Sequence, residues 1–549
     1  MSDTAGTTAP TDAQLLAGVE AAMQAGDMAA AGRLARQALD RGMSHPTLLS
    51  LVAYDLFAAN RPADAVPYLY RAREMAPRDP NGLHLLALCL AATGRDKEAV
   101  GVFEECIAAA PDFAPARFNL GSVKQELGEL DEARRLYREA IGLQPNYPQA
   151  LALLADLDAK AGRMDEARAS AERALALDPD QFPAVSALAL AQMAQGDAEG
   201  AATRLEAAVR RGLSPLNEAI AVNMLGDALD AQGRAEEAFE AYSRSKAQFH
   251  SLYASRWDRA DAESPLAHAR RILPAFEAVP ADAWSRPATP APRDDAPSAH
   301  VFLVGFPRSG TTLLENVLSA HPDVIALEER DTLLQSWLDY MIPPHGLNDL
   351  VKADEATLES GRRAYWERVA ALEVKPAGKV FIDKMPINTV QLPVIARLFP
   401  DAKILFARRD PRDVVLSCFR RRFGMNAFMY QLTTLEGTAA YYDAVMSLAS
   451  AYVARLPLNL HVVRYESLVE DFEAQARAAC AFVGLDWSDD VKAFAEKARG
   501  RAINTPSSAQ VVKGLYGEGA GQWRRFREGL APVMEVLKPW VETLGYPAE

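Results

Sequence analysis

The chain carries two rhythms of apolar and polar positions. Through its first half, helix-forming stretches are punctuated by glycine or asparagine at Gly26, Asn60, Gly94, Gly128, Gly162 and Gly196, each 34 residues after the last. A helix-facing alanine follows each of them five positions later, at Ala31, Ala65, Ala99, Ala133, Ala167 and Ala201, and prolines keep the beat at Pro77, Pro111, Pro145 and Pro179. This pattern predicts pairs of antiparallel helices. Glycine opens the tight turn, alanine lets the two helices approach, and proline stops the second helix. A seventh unit falls out of step, because Gly233 comes 37 residues after Gly196 with Ala238 five later. The three extra residues are expected in the turn near Gly212 and Pro215.

From residue 251 to 298 the period is lost. One or two helices interrupted by Pro265 and Pro274 are expected to cap the array, and Pro280, Pro287, Pro290, Pro292 and Pro297 mark an exposed, semi-extended linker. Beyond it the apolar runs shorten to strand length: 301–304, then 379–386, 402–411 and 460–468, the last three ending in polar residues, with amphipathic helical stretches between them. That alternation predicts an α/β domain with a mostly parallel sheet and a ligand at the carboxyl ends of its strands. The expected organisation is a repeat array over 12–250, capping helices and linker over 251–298, and an α/β domain over 299–549. The 34-residue period resembles the tetratricopeptide repeat. The resemblance implies an all-α, right-handed solenoid whose concave face holds a peptide or another protein; a rigid spacer or a dimerising surface is the alternative.

Charge and cysteine content narrow the classes. The formal net charge of −14 argues against a general nucleic-acid binder, which needs clustered lysine and arginine. Cys89, Cys106, Cys418 and Cys480 are scattered, form no zinc-site spacing and fit a reduced compartment. With no apolar run of membrane length and no leader-like N-terminus, the expectation is a cytoplasmic protein without membrane insertion.

The chemistry is concentrated after the 301–304 run, in Gly305, Phe306, Pro307, Arg308, Ser309, Gly310, Thr311 and Thr312, at the entry to a helix. Backbone N–H groups of such a loop converge on an anion, and the loop is P-loop-like. It lacks the lysine of the nucleotide-triphosphate P-loop, Thr311 standing in its place, so an ATPase or kinase reading loses its charge clamp. The string PRSGTT, an apolar helix and then AHPDV resemble the 5′-phosphosulfate loop of sulfotransferases that use PAPS (3′-phosphoadenosine-5′-phosphosulfate), closest to the tyrosylprotein sulfotransferases.

That resemblance implies site residues one by one. Arg308, Ser309, Gly310, Thr311 and Thr312 would cradle the phosphosulfate, and Arg409 with Ser417 eight residues on would hold the 3′-phosphate. Lys384 and Arg308 would meet charge developing on the transferring group, and Glu329, with Glu328 as competitor, would be the base; Leu327 stands where the family has glycine. Tyr465 would lie near the adenine or simply in the core, and Ser508 and Lys513 belong to a flap over the nucleotide. Gln522 departs from a family lysine, so a phosphate contact is lost or passes to Arg524 or Lys513. The implied chemistry needs no metal. The expected function is PAPS-dependent transfer to an acceptor hydroxyl, most simply tyrosine of a protein or peptide gathered by the repeats; oligomerisation stays open. A small-molecule or glycan acceptor, and a repeat scaffold with a degenerate transferase domain, are the alternatives.

Overall fold

The computed structural model describes residues 11–259, 261–289, 293, 295–499 and 519–549. They form two compact units that meet in sequence at Arg211 and Gly212. In the first unit, six helix pairs run from Asp12–Gln24 with Met28–Asp40 to Phe182–Ala194 with Ala198–Arg211. The periodic residues do what their chemistry requires. Gly26, Gly94, Gly128, Gly162 and Gly196 have φ between +73° and +82°, and Asn60, which tolerates the left-handed region, has φ +57°. The six period alanines are fully buried between helices, where a larger side chain would force the pair apart.

The second unit opens with another helix pair, Pro215–Ala231 and Ala235–Trp257. Here the extra residues lie in the helix, not in the turn. The first helix has 17 residues where its counterparts have 13, and the 212–214 turn is one residue shorter than the 178–181 turn before it. The Pro265–Ala278 helix begins at Pro265 as expected but runs through Pro274. It gives up one backbone bond there, while Ile272 and Phe276 on either side are buried and hold it in place.

Five strands form one all-parallel sheet: β1 Ala299–Gly305, β2 Val324–Glu328, β3 Val380–Lys384, β4 Lys403–Arg408 and β5 Asn459–Arg464, in the order β2-β3-β1-β4-β5. β1 is central because Val301, Phe302, Leu303 and Val304 are apolar on both faces and wholly buried. Val301 and Leu303 pack with Leu314, Val317 and Leu318 of the Thr311–Ser319 helix, whereas Phe302 joins His300, Tyr365 and Phe399 on the opposite face. Parallel pairing brings the polar strand ends to one edge: Lys384 stands opposite Leu303 of β1 and Glu328 of β2. Among the described residues no helix is long and apolar enough to cross a membrane.

Candidate active site

The loop after β1 is built so that only glycine fits at both of its ends. Gly305 has φ +155°, and a Cβ there would stand 2.7 Å from both the Ala407 carbonyl and Ser309 Oγ. Gly310, with φ +101°, caps the Thr311–Ser319 helix, and a Cβ would press to 3.0 Å from the Tyr465 ring. Thr389 pins the loop to the end of β3: its hydroxyl accepts from the Gly305 N–H at 2.9 Å and lies 2.8 Å from the Gly305 carbonyl. Ser309 Oγ turns back to donate to the Phe306 carbonyl at 2.6 Å. Arg308 adopts φ +71°, an unusual state for a branched-out side chain and one that clusters at ligand-gripping turns.

That backbone twist sends Arg308 across to the next strand end. Its Nε donates to Ser417 Oγ at 3.0 Å, and the Arg308 carbonyl accepts from Arg409 Nη1 at 3.1 Å. Arg409 also donates to the Gly519 carbonyl and stacks over Tyr465, 4.8 Å from its centroid. Three predicted donor residues from two distant stretches therefore meet, and Tyr465 joins them as a packing floor. Burial and the nearby charges of Arg421, Arg409 and Arg420 push the Arg308 guanidinium down to about 9, still cationic at neutral pH. Such crowded positive charge is what an anion relieves.

A second cluster forms at the end of β3. Lys384 Nζ, fully buried, donates to Glu329 Oε1 at 2.8 Å and lies 3.2 Å from Glu315 and 3.8 Å from Glu328. Burial works against its charge, but Glu315, Glu329 and Glu328 together outweigh that and raise its pKa. Burial pushes the Glu315 carboxyl up to about 7, against the opposing pull of Lys384. Glu329 is the most exposed of the three carboxylates, and its φ of +43° makes it one of four described non-glycine residues with positive φ, as Arg308 is another. Its N–H donates to the Lys384 carbonyl at 2.8 Å, so β2 and β3 deliver base candidate and cation together.

Arg308 bonds Ser417 and Arg409 at the end of β4, and Lys384 gathers Glu315, Glu328 and Glu329 at the end of β3. Thr311 and Thr312 are buried in the first turn of the loop's helix. Ser508 and Lys513 lie outside the described residues. Gln522 accepts a hydrogen bond from Arg420, and Arg524 reaches a main-chain oxygen of Glu549 at 3.3 Å.

Two contributors escaped the sequence reading. Glu315 is the lone charged residue in the Thr311–Ser319 helix, a signal that was present in the residues 311–319. Asp383 is the other. It is fully buried, accepts from Thr332 Oγ1 at 2.6 Å and Tyr365 OH at 2.8 Å, and has its carboxyl pushed up to about 6 by burial. Since Thr332 follows Glu329 by three residues, this bond fixes the turn that carries the base candidate.

With this geometry in hand, comparison with known proteins is specific. Residues 300–489 match the sulfotransferase family model, and tetratricopeptide repeat models match 56–117, 97–157 and 125–192, and 186–250. An uncharacterized protein of Aquifex aeolicus (strain VF5) is 29% identical over 259 residues, covering 45% of this chain and 33% of that protein, so the match spans only a third of that relative. Protein-tyrosine sulfotransferase 1 of Danio rerio is 27% identical over 261 residues, covering 45% of this chain and 72% of its own. A solved tetratricopeptide repeat protein from Parabacteroides merdae ATCC 43184 covers 43% of this chain and 93% of its own at 14% identity, with a TM-score of 0.35. The chain carries tetratricopeptide repeats and, in its C-terminal half, a sulfotransferase domain similar to that of the protein-tyrosine sulfotransferases.

Proposed function

We propose that the protein transfers a sulfuryl group from PAPS to an acceptor hydroxyl, that of tyrosine in a protein or peptide which the repeats gather, and that it does so in the cytoplasm. The observation that carries this reading is the buried arginine group, in which Arg308, Arg409 and Ser417 stand together beside a glycine-bounded helix N-terminus. An ATP site needs one phosphate-gripping loop. A second buried cation site on the next strand fits a donor with a separate 3′-phosphate. Arg409 and Ser417 would grip that phosphate, with Arg308 beside them, while the backbone of Ser309, Gly310, Thr311 and Thr312 would meet the 5′-phosphosulfate.

In the transfer, the acceptor oxygen bonds to sulfur as the sulfur–oxygen bond to the 5′-phosphate breaks. The acceptor proton passes to Glu329, and PAP leaves with the bonding pair. A phenol needs that help, because its reference pKa is near 10. Lys384 supplies a fixed cation for charge shifting onto the leaving oxygen. The test is calorimetric titration with PAP and with ATP. PAP is expected to bind and ATP not to, and Arg409→Ala is expected to weaken PAP by roughly 10- to 100-fold, the scale of one or two charge-assisted bonds. ATP binding with PAP ignored would sink the reading.

A further inference from the structure

The helix pair Pro215–Ala231 and Ala235–Trp257 belongs to the repeat series by pattern, yet it lies in the same compact unit as the sheet. Besides meeting Tyr430 and Thr433 through His250, and Phe526 through Phe239, it reaches the C-terminal end of the Pro411–Arg420 helix. That end carries carbonyls without partners inside the helix. Asn223 Nδ2 donates to the Arg420 carbonyl at 3.0 Å, and Lys246 Nζ donates to the Arg421 carbonyl at 2.8 Å. A lysine there also opposes the negative end of the helix dipole.

The side chains of the same two arginines are held from the same helix pair. Asp230 lies 3.3 Å from Arg420 and 2.7 Å from Arg525, and Asp227 lies 3.8 Å from Arg421. Tyr242 OH donates to Asp227 at 2.9 Å and so fixes that carboxylate. Phe239 adds an apolar anchor, its ring centroid 5.5 Å from that of Phe419. Arg420 and Arg421 are among the charges that crowd Arg308, and Ser417, the Arg308 partner, stands one helical turn before them. The buried Nε–H groups of Arg409, Arg420 and Arg421 have no hydrogen-bond acceptor among the described residues, which leaves donors for an anion.

We propose that this last repeat-type helix pair is a positioning element of the donor site: Asn223, Lys246, Asp227 and Asp230 set the Arg420–Arg421 helix end, and through it the affinity for the donor's 3′-phosphate. The proposal rests on the PAPS reading above. A repeat-type helix pair is then part of the transferase site itself, whatever the other repeats bind.

The sign of one substitution separates positioning from plain neutralisation. Asp230→Asn removes a negative charge from an arginine cluster. If the acid only neutralised the cluster, PAP would bind more tightly. If it positions Arg420, PAP binding weakens by about five- to tenfold, the scale of a lost charge-assisted bond, and Asp230→Glu restores most of it. Asn223→Ala changes no charge and is expected to act in the same direction. In steady state both raise the donor KM while kcat and the acceptor KM hold, a split that general loosening of the fold would not give. Tighter PAP binding by Asp230→Asn, or Asn223→Ala indistinguishable from wild type, overturns the proposal alone. Failure of the wild-type chain to bind PAP overturns the donor reading, and the proposal with it.

Discussion

Glu329→Gln is expected to lower kcat by roughly 10²- to 10⁴-fold, the range for a general base, while leaving PAP affinity within a factor of about two. Position decides the choice among three carboxylates. Glu315 is buried in a helix and cannot meet a bulky acceptor hydroxyl, and Glu328 lies 3.8 Å from Lys384 where Glu329 lies 2.8 Å away. Glu329 alone of the three has left-handed backbone, a conformation that costs about 1–2 kcal/mol and persists only where its surroundings enforce it. Those surroundings are explicit: its N–H is bonded to the Lys384 carbonyl, and three residues on Thr332 is tied to Asp383. Glutamine keeps the shape and the backbone state but cannot take the proton. Parallel assays of Glu328→Gln provide the control, with a loss of no more than about tenfold expected, since it removes a more distant charge from Lys384. If Glu328→Gln proved the more damaging change, the base would be misassigned.

How much of this was legible in the residues differs by element, and the reasons are physical. The repeats were legible because each marker acts locally: a glycine that must take positive φ, or an alanine that must fit between two helices, declares itself at its own position. The out-of-step unit was seen, but a longer helix and a longer turn shift the period equally, and only the structure distinguishes them. Four strands were legible as apolar runs. β2 was not, since Val324–Glu328 is short, half-exposed and at the sheet's edge, with no alternation to mark it. Arg308 and Ser417 could each be proposed for an anion site, but their direct bond spans 109 positions, and no local pattern encodes it. The same holds for Asn223 and the Arg420 carbonyl, 197 positions apart, where a repeat-type helix meets the transferase domain.

Lys384→Met is expected to cut kcat by roughly 10²- to 10³-fold, the cost of removing a preorganised charge from a transition state, and to destabilise the fold in a pH-dependent way. Breaking a buried ion pair by removing one partner costs about 3–5 kcal/mol when the other charge stays behind. Here the charge left behind is principally that of Glu315, and it has an escape: it can take up a proton. In the wild type its carboxyl sits at about 7, with Lys384 holding it below what burial alone would give. Without Lys384 it rises further above the unfolded value of 4.5. An acid raised in the folded state binds more protons folded than unfolded, so stability falls as pH climbs from the unfolded pKa to the folded one. Below about 7 Glu315 is largely protonated with or without the lysine. Above it, the wild type has finished losing stability at this group while the variant continues to lose it. Thermal unfolding should therefore show a modest Tm deficit at pH 6 and a clearly larger one at pH 8. Adding Glu315→Gln should remove most of that extra deficit without restoring activity, because the amide leaves no buried charge to strand but returns no cation to the site. A Tm deficit equal at the two pH values would mean that Glu315 is not the group Lys384 neutralises. Full activity in the variant would remove Lys384 from the chemistry, leaving it only as the buried counter-ion to its three carboxylates.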